Sequence, residues 1–148
     1  MTMVRWKAVA PATATGTSKL TLLQVVSPSN IASAIEEWSI SFQGTSNTAT
    51  PILVQVYKET SAGTASAGTM IKDPSDAGET LQTTSQITFT VEPSYGDLLF
   101  QEYVHPQTGY TWQAPFGRSI KMGTGQRVAI VVTAGASVNA VARINGEE

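Results

Sequence analysis

Residues Glu36–Gln43 read Glu-Glu-Trp-Ser-Ile-Ser-Phe-Gln, and this stretch determines the predicted fold class. In an extended chain, Trp38, Ile40 and Phe42 project to one side, while the glutamate and serines around them project to the other. An apolar–polar alternation with this period is typical of a strand that is buried on one face. We therefore predict a half-buried β-strand whose apolar face packs on a hydrophobic core.

The same alternation recurs on both sides of this strand. The polar stretch 44–51 is rich in turn-forming residues, and Ile52–Lys58 follows it as a second strand with Ile52, Val54 and Val56 facing inward. Further strands are predicted at Leu20–Val26, Gln86–Glu92, Leu98–Val104, Arg118–Met122, Arg127–Thr133 and Ser137–Ile144, with short ones at Val4–Ala8 and Tyr110–Gln113. About eight to ten short strands separated by turns predict an all-β fold, an antiparallel β-sandwich or a barrel.

The composition agrees with one β-rich domain and excludes several kinds of site. The chain has 148 residues, of which 14% are charged, and this length is usual for a single domain. It contains no cysteine, which excludes disulfides, thiolate metal sites and a cysteine nucleophile. The net charge is -2 without any run of basic residues, so no nucleic-acid-binding surface is predicted. Because the longest apolar run, Val128–Val132, is far shorter than a membrane span, we expect a soluble protein made in the cytoplasm of its producer.

Two segments are interpreted as appendages of the core. Residues 1–17 are assigned to an N-terminal arm, and residues 18–148 to a single β-sandwich domain. Within that domain, residues 59–85 are rich in Gly, Ala, Ser and Thr and lack alternation, so they are predicted to form a long loop. Because long loops in compact domains are often functional or mobile, we expect either an inter-subunit or partner contact or a disordered connection.

His105 is the single histidine, and its context does not predict catalysis. A Ser-His-Asp relay needs a serine and an acid beside the imidazole, and no serine lies in a nucleophile-elbow context. One histidine also falls short of the histidine pair of a usual catalytic zinc site. We predict that His105 is a turn residue and that the protein is not an enzyme.

The acidic residues predict no cofactor or metal site either. Asp73, Asp76 and Glu79 lack the dense Asp/Asn/Gly pattern of a calcium loop. Glu37 and Glu102 could form a carboxylate pair of the kind used in glycoside hydrolysis, but such pairs are common in β-proteins. No catalytic, cofactor-binding or metal-binding residue is therefore predicted.

The aromatic residues divide into core and surface candidates. Trp38, Phe42, Phe89 and Phe100 match the inward face of strands. A second group surrounds the histidine turn and is called here the aromatic turn: Tyr103, His105, Gln107, Tyr110 and Trp112. Aromatic rings beside amides suit a sugar face, and Tyr and Trp are also enriched in protein interfaces. The aromatic turn is predicted to bind a partner, with a sugar-stacking platform as the alternative.

The C-terminal part of the chain carries a long distinctive motif string. It runs through His105-Pro106-Gln107-Thr108-Gly109-Tyr110, Trp112, Pro115, Gly117-Arg118, Ile120, Gly125–Ala134, Val138–Arg143 and Glu147-Glu148. This string, over about residues 84–148, resembles small virion-associated proteins of tailed phages. The resemblance implies a phage structural protein, similar to the jelly-roll cement proteins that decorate capsids, often as homotrimers.

The resemblance implies a jelly-roll-like sandwich that binds the major capsid protein on the outer capsid surface, across subunit junctions, and stabilises the head. In this hypothesis the arm residues Val4, Arg5, Trp6 and Lys7 add a strand to an exposed edge of a neighbour. The expected location is the capsid surface of the virion, after synthesis in the host cytoplasm. The alternatives are a carbohydrate-binding module, with Trp112 as a stacking residue, and a tail or head-fibre component.

Overall fold

The computed structural model describes residues 3–44, 50–74 and 78–148. These residues form twelve strands: β1 (Arg5–Ala14), β2 (Leu20–Val26), β3 (Ser33–Phe42), β4 (Ile52–Glu59), β5 (Thr64–Ala67), β6 (Thr69–Lys72), β7 (Thr84–Val91), β8 (Tyr95–Val104), β9 (Gly109–Gln113), β10 (Ile120–Met122), β11 (Arg127–Thr133) and β12 (Asn139–Glu147). Every strand pair is antiparallel, and two six-stranded sheets pack as a sandwich. The predicted all-β sandwich is confirmed, with more strands than expected.

The strand order identifies the topology as a jelly roll. The sheet that contains β1 has the order β10-β3-β12-β1-β6, with β9 also pairing β3. The sheet that contains β2 has the order β5-β7-β2-β11-β4-β8. Eight strands labelled B to I in chain order (β1, β2, β3, β4, β8, β9, β11 and β12) give the orders B-I-D-G and C-H-E-F, the arrangement of a double-sheet jelly roll. Of the four additional strands, β5, β6 and β7 form an insertion between β4 and β8, and β10 lies between β9 and β11 in the chain.

The core lies between the sheets and follows the alternation of the sequence. Trp38 and Ile40 are buried from the β1 sheet, and Val54 and Val56 from the β2 sheet. In β11, the run Val128–Val132 is buried on both faces, which shows that the outer face of the β2 sheet is also covered. Full burial of one such aliphatic side chain contributes about 1.5–3 kcal/mol.

Three aromatic rings join the two sheets between β3, β8 and β9. The ring centroid of Trp38 lies 5.2 Å from that of Phe100, edge to face, and 5.4 Å from that of Tyr110. Phe100 and Tyr110 are 5.6 Å apart. Pairs at these separations add stabilisation beyond their buried area, so the cluster fixes how the sheets pack at this side of the sandwich.

The predicted N-terminal arm at residues 1–17 is wrong for the described part of that segment. β1 lies inside its sheet, where it pairs with β12 on one side and β6 on the other. Trp6 is 1% exposed, because the alternation in β1 turns Val4 and Trp6 toward the core and Arg5 and Lys7 toward solvent. Val4 and Trp6 are therefore core residues and do not form a partner-binding arm. The first two residues of the chain lie outside the described residues.

The predicted loop at residues 59–85 is also corrected. Its described residues contain β5, which pairs with β7, and β6, which pairs with β1. The insertion starts at β4, yet β5 and β6 extend the sheets at the opposite side of the sandwich. The chain must therefore cross the β2 sheet after β4 and cross it again before β8. Residues 75–77 lie outside the described residues, so the calcium hypothesis for Asp76 has no structural description.

Candidate functional site

The structure does not bring the aromatic turn together as one surface. Tyr110 and Trp112 lie on β9 and pack against the core, with Trp112 opposite Trp38 in the β3–β9 register. Tyr103 belongs to the other sheet, opposite Leu53, and is 70% exposed. The sugar-stacking interpretation of Trp112 is therefore wrong, because this ring faces inward.

His105 and Gln107 form a tight turn between β8 and β9. The imidazole Nδ1 of His105 accepts a hydrogen bond from the backbone N–H of Gln107 at 3.1 Å. The backbone oxygen of His105 accepts from the N–H of Thr108 at 3.0 Å. The N–H of Gly44, just after β3, donates to the backbone oxygen of Pro106 at 3.0 Å. The prediction that His105 is a turn residue is confirmed.

The carboxylates considered for glycoside hydrolysis lie apart. Glu37 projects from the outer face of the β1 sheet, where it forms an ion pair with Arg143. It also accepts hydrogen bonds from the side-chain amides of Gln113 at 2.9 Å and Asn145 at 3.3 Å. Glu102 is exposed on β8 in the other sheet, so the two carboxylates cannot act on one bond.

A buried carboxylate that the sequence pattern does not predict lies at the end of β4. Glu59 is 5% exposed, and among the described residues neither of its carboxylate oxygens has a hydrogen-bond partner. Arg127 lies directly opposite in the β11–β4 register, but its Nε also lacks a partner there. Burial and the nearby negative charge of Glu92 raise the pKa of Glu59 from 4.5 to about 7, and Lys19 partly opposes this rise.

Charged and aromatic groups surround Glu59 on the outer face of the β2 sheet. The Nζ of Lys19 lies 4.3 Å and 4.1 Å from the ring centroids of Tyr57 and Tyr95, and it donates to the Tyr57 hydroxyl at 3.0 Å. Glu92 accepts hydrogen bonds from the backbone N–H of Thr21 at 2.9 Å and from the Tyr95 hydroxyl at 3.0 Å. Burial is the main cause that raises the pKa of Tyr95 to about 12. We name Lys19, Tyr57, Glu59, Glu92 and Tyr95 the Glu59 cluster.

The two crossing segments of the insertion, residues 60–63 and 92–94, form hydrogen bonds with each other and with β2 next to this cluster. The N–H of Thr60 donates to the backbone oxygen of Ser94 at 2.9 Å, and the N–H of Ser94 donates to the Ser61 hydroxyl at 2.8 Å. Gln24, which is fully buried in β2, donates from its side chain to the backbone oxygen of Ala62 at 3.5 Å. The Glu59 cluster therefore connects the insertion to the β2 sheet.

Replacement of Glu59 by glutamine should change how stability depends on pH. The folded chain keeps the Glu59 proton up to about pH 7, whereas the unfolded chain releases it near 4.5, so stability falls as the pH rises through this interval. The interval corresponds to about 3 kcal/mol, which water and relaxation around the carboxylate reduce, so Glu59→Gln should stabilise the protein by about 2 kcal/mol near pH 8, with little change near pH 4. Urea unfolding of both proteins across this pH range measures the difference.

Glu102→Gln is the matched control, because it removes an exposed carboxylate of the same kind. Its unfolding free energy should still fall between about pH 4.5 and 7, because Glu59 is unchanged in this variant. If the free energy of unfolding depended on pH in the same way for wild type and Glu59→Gln, ionisation of Glu59 would not destabilise the folded protein.

Two surfaces of the described residues are candidates for binding. One is β8, which pairs only with β4 among the described residues and exposes Leu98, Leu99 and Tyr103 by 43%, 42% and 70%. The other is a groove of about 630 Å³ on the outer face of the β1 sheet, between residues 71–74 and 114–119. Its floor includes Lys7 and Asn145.

Two structural features are absent from the described residues. In residues 3–44, 50–74 and 78–148, no helix has the length and apolar character needed to cross a membrane. In the same residues, no three His, Cys, Asp or Glu side chains are grouped so that they could hold a metal ion. Comparison with protein-family models, with curated proteins and with solved structures finds no match to this chain.

Proposed function

We propose that the protein is a non-enzymatic decoration protein of a phage capsid. It binds the major capsid protein on the outer surface of the head, across subunit junctions, and forms a homotrimer there. The observation that carries the proposal is the ten-residue edge strand β8, which pairs only with β4 among the described residues and exposes Leu98, Leu99 and Tyr103. Exposed apolar and tyrosine side chains along an unpaired sheet edge are typical of a protein interface.

The fold and the resemblance give this proposal additional support. Jelly-roll sandwiches are common in viral structural proteins, although the fold alone does not determine function. The C-terminal motif string resembles that of tailed-phage virion proteins. Because β1 is an internal strand, attachment is assigned to the β8 edge and Tyr103, and the arm has no part in it.

Quantitative mass spectrometry of purified virions tests the proposed function. The amount of this chain is compared with that of the major capsid protein in the same particles. A ratio near one copy per capsid subunit supports a decoration protein that covers the lattice. A few copies per particle would move the chain to the tail or a fibre, and its absence from particles would refute a virion role.

The groove on the β1 sheet favours carbohydrate binding as a second function. Phe116 is fully exposed, at 106%, on the wall of this groove, and the lining also offers Lys7, Asn145 and Glu147. An exposed ring beside hydrogen-bonding side chains can stack on a sugar and orient its hydroxyl groups. This surface replaces the inward-facing Trp112 as the site of the glycan hypothesis.

Phe116→Ala should remove any retention on a polysaccharide column. Because the Phe116 side chain is exposed, its loss should change the free energy of unfolding by less than about 0.5 kcal/mol. Val141→Ala is a control, since Val141 is an exposed apolar residue of the same sheet outside the groove. Equal retention of wild type and Phe116→Ala, or no retention of wild type on a broad glycan array, would contradict glycan binding in this groove.

A further inference from the structure

The edge strand β8 carries only part of the protection that a sheet edge usually has. It is ten residues long and contains neither lysine nor proline. Its first half is irregular, with register shifts against β4, but Phe100–Val104 pairs with Ile52–Val56 without a shift. Because no second strand pairs with β8 in the part of the chain that the structure describes, the regular half offers an open edge in the geometry that an added strand requires.

The charge of this edge selects the kind of strand that can be added. β8 carries Asp97 and Glu102, both exposed, and no basic residue. The sequence has no Lys or Arg anywhere between Lys72 and Arg118. Two copies of β8 side by side would bring four carboxylates together, which disfavours pairing of this edge with itself. A strand with Lys or Arg would instead face opposite charge.

The exposed side chains add an apolar requirement. Leu98 projects to the outer face of the sheet, next to Tyr57 in the β4–β8 register, and Tyr103 projects to the same face opposite Leu53. Leu99 is 42% exposed at the register shift. An added strand that alternates small apolar and basic residues would cover Leu98, Leu99 and Tyr103 and also reach the carboxylates.

We propose that the β8 edge binds an extended basic segment of a partner protein, which adds a strand to the β2 sheet. Its Lys or Arg side chains pair with Asp97 and Glu102, and its apolar side chains cover the exposed leucines. This proposal rests on the proposed function only for the identity of the partner, an exposed segment of the capsid protein. The charge and the exposed apolar side chains that would recognise the segment are those of β8 itself.

The test uses the full-length protein and two synthetic peptides of about ten residues. One peptide alternates Lys with Val and Thr, and the other has Glu in place of every Lys. We expect the lysine peptide to bind, with an affinity that falls about tenfold or more between about 0.05 M and 0.5 M salt. The glutamate peptide should not bind. Hydrogen exchange followed by NMR should show new protection of backbone amides in Leu98–Val104.

Charge reversal at the edge supplies the decisive variant. The double variant Asp97→Lys, Glu102→Lys should bind the glutamate peptide and lose the lysine peptide. The control, Glu36→Lys with Glu79→Lys, gives the same net charge away from β8 and should keep the wild-type preference. Circular dichroism establishes that all variants are folded.

Three outcomes would overturn the proposal. They are peptide binding that the β8 reversal leaves unchanged, protection that appears on another strand, and self-association of the wild-type chain through β8. The copy number in virions is a separate test. If the chain is absent from virions but binds the lysine peptide, the β8 binding site is supported and the capsid function is refuted. If the chain is abundant in virions but does not bind the peptide, the capsid function is supported and the β8 binding site is refuted.

Discussion

Removal of residues 1–10 should leave a chain that does not fold. This deletion takes away the first half of β1, the internal strand that pairs with both β12 and β6. It also removes Trp6, Ala8 and Ala10 from the core. Loss of a buried tryptophan alone costs about 3–5 kcal/mol, and the total stability of a domain is about 5–15 kcal/mol. The loss of two strand pairings comes in addition, so the deletion exceeds what the domain can tolerate.

Near-ultraviolet circular dichroism and thermal unfolding measure this effect. The truncated chain should lack the aromatic signal of a packed core and show no cooperative transition. A chain that lacks only residues 1–3 is the control, because Met3 is half exposed and precedes β1. Cooperative unfolding of the longer deletion at the wild-type temperature would contradict the internal position of β1 and restore the arm.

Trp38→Ala should destabilise the protein by about 3–5 kcal/mol. Trp38 is 1% exposed, and its ring contacts Phe100 on the other sheet and Tyr110 on the neighbouring strand. Truncation removes both ring contacts and leaves a cavity between the sheets that the rigid strands cannot close. Urea unfolding followed by circular dichroism gives the change in free energy.

Two controls separate packing from general effects of losing a ring. Trp38→Phe keeps an aromatic ring in the core and should cost less than the alanine variant. Tyr103→Ala removes an exposed ring and should change stability by less than about 0.5 kcal/mol. If Trp38→Ala and Tyr103→Ala changed the free energy of unfolding by similarly small amounts, the aromatic cluster would not be what stabilises the packing of the two sheets at this side.

Local patterns predicted most strands but did not predict where those strands lie. The alternation in Glu36–Gln43 and the apolar run in Arg127–Thr133 correspond to β3 and β11. Val4–Ala8 was also predicted as a strand, and it forms part of β1. Its partner β12 is at the other end of the chain, and such a distant pairing leaves no trace in the local sequence. The local periodicity therefore predicts the strand correctly, whereas the assignment of the segment to an arm is wrong.

The candidate sites were harder to predict for the same reason. Glu59 lies two residues after Tyr57 on β4, so both side chains project to the same face of the strand. In an isolated strand this face would be exposed to solvent. The crossing segments of the insertion lie next to Glu59, and their small polar residues carry no hydrophobic periodicity. Tyr110 and Trp112 have the spacing of a strand face, but only their register with Trp38 shows that this face is the core.

The pairing of β1 with β12 determines when this protein can fold during its synthesis. β12 lies between β1 and β3 at the centre of its sheet, and the two ends meet through hydrogen bonds between Val4 and Glu148 at 3.0 Å and 2.9 Å. A nascent chain therefore cannot complete this sheet until Asn139–Glu147 has left the ribosome. Until then β1 and β3 each have an open edge. Folding limited by such distant contacts is slow, and it leaves the incomplete sheet vulnerable to aggregation.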